Sequence, residues 1–104
     1  MRSEAVDDEG YLLDPAQWSE DFALASADDE GIDLSADHWD VLRFMRGYYA
    51  EHQLAPDARF AIKHLAIRFG ADARTRLFDL FPYGYVRQAC KIAGMKRPRA
   101  WSTG

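Results

Sequence analysis

From Ser35 to His52 the apolar residues recur at helical spacing: Trp39, Leu42, Phe44 or Met45, and Tyr49. Ser35 reads as the N-cap, with Leu34 before it and Trp39 at the fourth helical position as a hydrophobic staple. Trp39 is therefore expected in the core. Asp37 sits in the first turn, where a carboxylate suits the helix dipole. The helix should fade near His52, ahead of Pro56. Asp57 caps the next one. Phe60, Ile62, Leu65, Ile67 and Phe69 give it two apolar flanks, which predicts a well-buried helix, and Gly70 is its expected C-cap. Asp72 starts a further helix through Leu77, Leu80 and Phe81. Phe81-Pro82-Tyr83-Gly84 is a turn, and a last helix runs from about Tyr85 to Ala93, closed by Gly94.

Ahead of these helices the pattern shortens. Ala5-Val6 and Tyr11-Leu12-Leu13 flank Asp7-Asp8-Glu9-Gly10, which predicts a small N-terminal β-hairpin lying against the helices. Asp14-Pro15 opens a short turn, with proline at the first helical position. Ser19 caps a second start, whose apolar side is Phe22, Ala23 and Ala25. The run Asp28-Asp29-Glu30-Gly31 ends it. After Gly94 the periodicity is lost, and residues 95–104 are expected to form a flexible C-terminal arm. The fold class is mainly α: one compact helical bundle over residues 1–104 with a helix-turn-helix-like corner at Gly70-Ala71. Such corners are common in small helical domains, so this one is no sign of DNA binding by itself.

At 104 residues the chain has room for one domain, and 48% apolar residues suffice to fill its core. No apolar run approaches the ~20 residues of a membrane helix. The first ten residues are acidic, unlike a signal peptide, so a cytoplasmic location is the default expectation. Charge divides the chain. Residues 1–40 hold thirteen acids against one base, and residues 41–104 hold twelve bases against four acids. That polarity speaks to partners, or to attraction between the two halves, rather than to fold.

Candidate chemistry is sparse. No phosphate-loop, dinucleotide-binding, zinc-protease or EF-hand pattern is present. His38, His52 and His64 are scattered, so neither a metal site nor any other cofactor is expected. With one cysteine, Cys90, there is no internal disulfide. Lys91 adjoins it and Arg87 lies one helical turn back, and nearby cations favour a thiolate. A buried helix cysteine packing as a small hydrophobe is the plainer alternative.

Several segments in order carry a resemblance: Glu9-Gly10-Tyr11-Leu12, Trp18 to Ala23, Leu34 to Asp40, Leu42 to Tyr49, Pro56 to Arg59, Leu80 to Gly84, and Gln88 to Gly94. Together, over about residues 9–98, they resemble the DsrC/TusE family. These are the small partners of dissimilatory sulfite reductase and the members of the relay that supplies sulfur for tRNA 2-thiouridine. The resemblance implies a helical fold with an N-terminal hairpin and a C-terminal arm that carries the chemistry. DsrC proteins have one cysteine on the last helix and one next to the chain end, whereas TusE proteins keep the terminal one, which holds a persulfide. Cys90 matches the helix cysteine, and the terminal position falls on Trp101. Tyr85 stands where the family usually has proline.

The resemblance thus implies a sulfur-relay protein of sulfur metabolism. It would dock to sulfurtransferase or sulfite reductase partners, be at most a sulfur carrier or sulfurtransferase component, and handle any sulfur at Cys90. Arg87, Lys91, Lys96, Arg97, Arg99 and Trp101 are the expected partner-binding residues. The chain alone is expected as a monomer, with no membrane contact and at most weak, salt-dependent nucleic-acid contact. The alternative is a non-catalytic regulatory or DNA-binding homologue that has lost sulfur transfer.

Overall fold

Capping residues set the helix starts. In the computed structural model, which describes residues 5–96, Asp14 accepts a hydrogen bond from the Ala16 amide and opens a 3-10 turn, Pro15–Gln17. Ser19 Oγ accepts from the Phe22 amide at 3.1 Å and starts α1, Glu20–Asp29. Ser35 starts α2, Ala36–His52, and Asp57 starts α3, Ala58–Phe69. Gly70 follows α3 with φ +56, and a 3-10 turn, Gly70–Asp72, leads into α4, Ala73–Leu80. A π-helical turn, Tyr85–Ala89, runs directly into the short α5, Cys90–Ile92. The Cys90 amide reaches back to the Tyr85 carbonyl, the i to i+5 bond of a π turn.

The helices pack α1 on α5, α2 on α3 and α3 on α4. Phe22, Val41, Leu42, Met45, Leu65, Phe81 and Ile92 are buried at their centre. No helix among the described residues is long and apolar enough to cross a membrane.

Three expectations need correction. The N-terminal hairpin has no strands among the described residues: it is reduced to one antiparallel bridge, Val6 to Leu12, with the Asp7 amide donating to the Tyr11 carbonyl at 2.8 Å and the Leu13 amide to the Ala5 carbonyl at 3.1 Å. The Asp7 carboxylate accepts from the amides of Glu9 and Tyr11, and this tight turn leaves arms too short for a ladder before Pro15 redirects the chain. Trp39 is only half buried. The buried stripe of α2 is His38, Val41, Leu42 and Met45: Leu42 and Met45 are as the sequence pattern suggested, His38 and Val41 stand in place of Trp39 and Tyr49, and the Arg43 guanidinium lies over the Trp39 ring. Helix α3 is buried along Ala61 and Leu65 alone. Its outer face is open, leaving Ile67 82% exposed, because α2 and α4 cover one side.

Candidate functional site

Cys90 begins α5, and the fold closes over it. The residue is 2% exposed and belongs to the same core cluster as Tyr11, Tyr85, Ala89 and Ile92. Burial pushes its thiol pKa up to about 12. Tyr11 is pushed up to about 12 as well, first by burial and then by the neighbouring Cys90, and Tyr85 is raised for the same two reasons. The Tyr11 hydroxyl donates to the Val86 carbonyl at 3.1 Å, and the Tyr85 hydroxyl donates to the Pro56 carbonyl. Both phenols thus tie the π turn to other parts of the chain.

The cations expected beside the thiol point elsewhere. Lys91 Nζ donates to Glu30 Oε2 at 3.0 Å and lies over the Tyr11 ring. The same carboxylate accepts from Gln88 Nε2 at 3.1 Å, while Gln88 Oε1 accepts from the Tyr83 amide. Burial alone would raise the Glu30 pKa, but the bonds from Lys91 and Gln88 outweigh it and hold the carboxyl below its ordinary range. Glu30 therefore fastens the end of α1 to the segment bearing Cys90. Arg87 and Lys96 are exposed. Arg97, Arg99 and Trp101 lie outside the described residues. Met95, expected as the first residue of the arm, is instead buried, and its amide donates to the Cys90 carbonyl at 3.0 Å.

The histidines do not converge. His38 bridges the Ser35 amide at Nδ1 and the Leu80 carbonyl at Nε2, and it completes the capping box of α2. His64 meets Asp40 at 3.0 Å, and His52 lies against Tyr48. Among the described residues no cluster could hold a metal.

Sequence reasoning passed over Tyr11, Trp18, Glu30 and Arg46 as functional residues. For Arg46 a signal was present: Leu42, Arg46 and Tyr49 share the inner side of α2, an unusual place for a guanidinium. Glu30 gave none, because its partners lie about 60 residues away in the chain.

The family described as "DsrC like protein" matches residues 2–100. The chain belongs to the DsrC-like family. Sulfurtransferase TusE of Salmonella paratyphi A is 46% identical over 96 residues, spanning 90% of this chain and 88% of that one. The oxidised gamma-subunit of dissimilatory sulfite reductase (DsrC) from Archaeoglobus fulgidus superposes with a TM-score of 0.84 at 32% identity, covering 93% of this chain and 90% of that one. DsrC of Allochromatium vinosum gives 0.80 at 37% identity, covering 93% and 88%.

Proposed function

We propose that this DsrC-like chain is a cytoplasmic sulfur-relay protein. It acts as a monomer that docks to sulfurtransferase or dissimilatory sulfite reductase partners, and any sulfur it holds is on Cys90. The observation that carries this reading is the agreement with TusE across nine-tenths of the chain, together with the common DsrC fold. Arg87 and Lys96, both exposed, supply positive charge for docking, and the sequence adds Arg97, Arg99 and Trp101 beyond them. Lys91 is held by Glu30 and contributes to the site from inside.

The burial of Cys90 dictates the mechanism. A thiol attacks sulfur as its thiolate. A proton held up to about 12 and 2% exposure leave almost no reactive thiolate in the closed fold. Sulfur loading therefore requires α5 or the Tyr11 turn to open first. Release of Glu30 from Lys91 would both loosen that corner and free a cation next to the thiol.

The regulatory alternative places weak nucleic-acid contacts on the α3–α4 corner and the basic residues near the chain end. The related proteins give it no support. Calorimetric titration tests the docking reading. The chain should bind dissimilatory sulfite reductase or a persulfide-loaded sulfurtransferase, with binding weakened by Lys96→Glu. Binding to neither would sink the reading.

A further inference from the structure

The last carbonyls of α5 are all taken, and two of the donors come from distant side chains. Gly94 and Met95 amides donate to the carbonyls of Lys91 and Cys90, at 3.1 and 3.0 Å. Trp18 Nε1 donates to the Ile92 carbonyl at 2.9 Å. One amino group of the Arg46 guanidinium donates to the Ala93 carbonyl at 3.1 Å, and the other donates to the Pro15 carbonyl at 2.9 Å. The guanidinium also faces the Trp18 ring at 4.9 Å and the Tyr49 ring at 5.7 Å. One side chain of α2 thus joins the 3-10 turn before α1 to the end of α5.

Arg46 is half-buried and has no carboxylate partner among the described residues. A half-buried guanidinium is ordinarily neutralised by an acid. Here backbone carbonyls, the negative end of α5 and two aromatic faces do that work. Burial draws its pKa below the usual arginine range, against the opposing influence of Tyr49. A planar fork with two fixed donors holds two carbonyls at once in a way that a flexible ammonium cannot. The chain passes through this clasp at Ala93 and Gly94, tucks in Met95, and emerges at Lys96.

We propose that Arg46, together with Trp18, is a positioning residue: it fixes the direction in which the chain leaves α5 and so sets how Lys96 is presented to a docking partner. The inference rests on the sulfur-relay reading for its partner, and on the clasp geometry for the rest. Lys91, the other half-buried cation among the described residues, has Glu30 to hold it. Arg46 is instead committed to the backbone at the point where the body of the fold ends.

The test uses the full chain in a Cys90→Ala background, with spin labels on cysteines introduced at Asp28 and Lys96. A control pair is placed at Asp28 and Lys63, all three being exposed positions. Pulsed electron resonance should give a narrow 28–96 distance distribution in the parent. Arg46→Met should broaden it while the 28–63 distribution stays unchanged. Arg46→Lys should recover part of the narrowing, since an ammonium can still donate to one of the two carbonyls. In the unlabelled chain, with Lys96 intact, affinity for dissimilatory sulfite reductase or a persulfide-loaded sulfurtransferase, the probes used, should fall about tenfold in Arg46→Met, because the chain end at Lys96 is no longer held in one orientation before binding. An unchanged 28–96 distribution overturns the proposal. So does equal broadening of both pairs, which would make Arg46 a general structural residue. Broadening with undiminished affinity overturns the docking role. If the unlabelled chain binds neither the reductase nor a persulfide-loaded sulfurtransferase, the sulfur-relay reading fails, and the distances still judge the clasp on their own.

Discussion

Gly94 lies so close to Trp18 that a β-carbon added to it would sit 2.8 Å from the indole Cγ and 2.9 Å from the Trp18 Cβ. Its φ of +77 also belongs to the left-handed region, where the residue after a helix end favours glycine. The Gly94 and Met95 amides close the end of α5 as a Schellman motif, and the indole covers that closure. Gly94→Ala combines a strained backbone with a clash that only a shift of Trp18 can relieve. It should cost roughly 2–4 kcal/mol. Urea melts measure this, and a loss no greater than at an exposed helix position would contradict the packing described.

The Cys90 thiol should resist alkylation in the native state. It should react with iodoacetamide at a rate that tracks local opening, rising with subdenaturing urea. The pH dependence follows from the raised pKa. The folded thiol keeps its proton to about 12, while the unfolded one ionises from its ordinary 9.0 upward. Stability is thus fully present below pH 9 and is lost as pH rises towards 12. By pH 10.5 the thiol alone should account for roughly 2 kcal/mol. Cys90→Ala should flatten this alkaline limb, leaving the part due to Tyr11 and Tyr85. An equally steep limb without Cys90 would show that the thiol is not buried as described.

Glu30 behaves with the opposite sign. Its folded pKa lies below its ordinary 4.5, so its contribution is present above that value and is lost as pH falls through the folded one. Glu30→Gln should lower stability by roughly 1–3 kcal/mol at neutral pH, since Lys91 is left nearly buried without its counter-ion. The variant should also lose part of the acid limb. Acid titration of both proteins by circular dichroism distinguishes this from a mere loss of packing, which would shift the whole curve evenly.

Leu42 belongs both to the observed core and to the one suggested by sequence, whereas Trp39 belongs only to the latter. Leu42 is fully buried, and Leu42→Ala should cost roughly 2–5 kcal/mol. Trp39, at the flank of the stripe, should cost clearly less when changed to alanine. Larger destabilisation at Trp39 in urea melts would restore it to the core.

The helix boundaries were legible because caps are local. Ser19, Ser35, Asp57, Gly70 and Gly94 all stand where the sequence placed them. Their chemistry is decided within three or four residues. The half-burial of Trp39 was not legible. Which of two adjacent stripes turns inward depends on α3 and on His38 reaching Leu80, 42 residues away. The placement of Lys91 was not legible for a related reason. Lys91 adjoins Cys90 in sequence, but neighbouring residues of a helix point in different directions, and Glu30 draws the ammonium to itself. The hairpin shrinks to a single bridge because its arms run only two or three residues before Pro15 redirects the chain, although the turn at Asp7 does bring Val6 to Leu12.

Intact-mass spectrometry after incubation with a persulfide donor tests the sulfur-relay assignment most directly, with TusE of Salmonella paratyphi A as the positive control. The expected result is one added sulfur atom on the wild-type chain, gained more slowly than by the control because Cys90 must first be exposed. Subdenaturing urea should accelerate the gain, and Cys90→Ser should abolish it. A chain that stays unmodified under conditions that load the control, with or without urea, would contradict sulfur relay at Cys90.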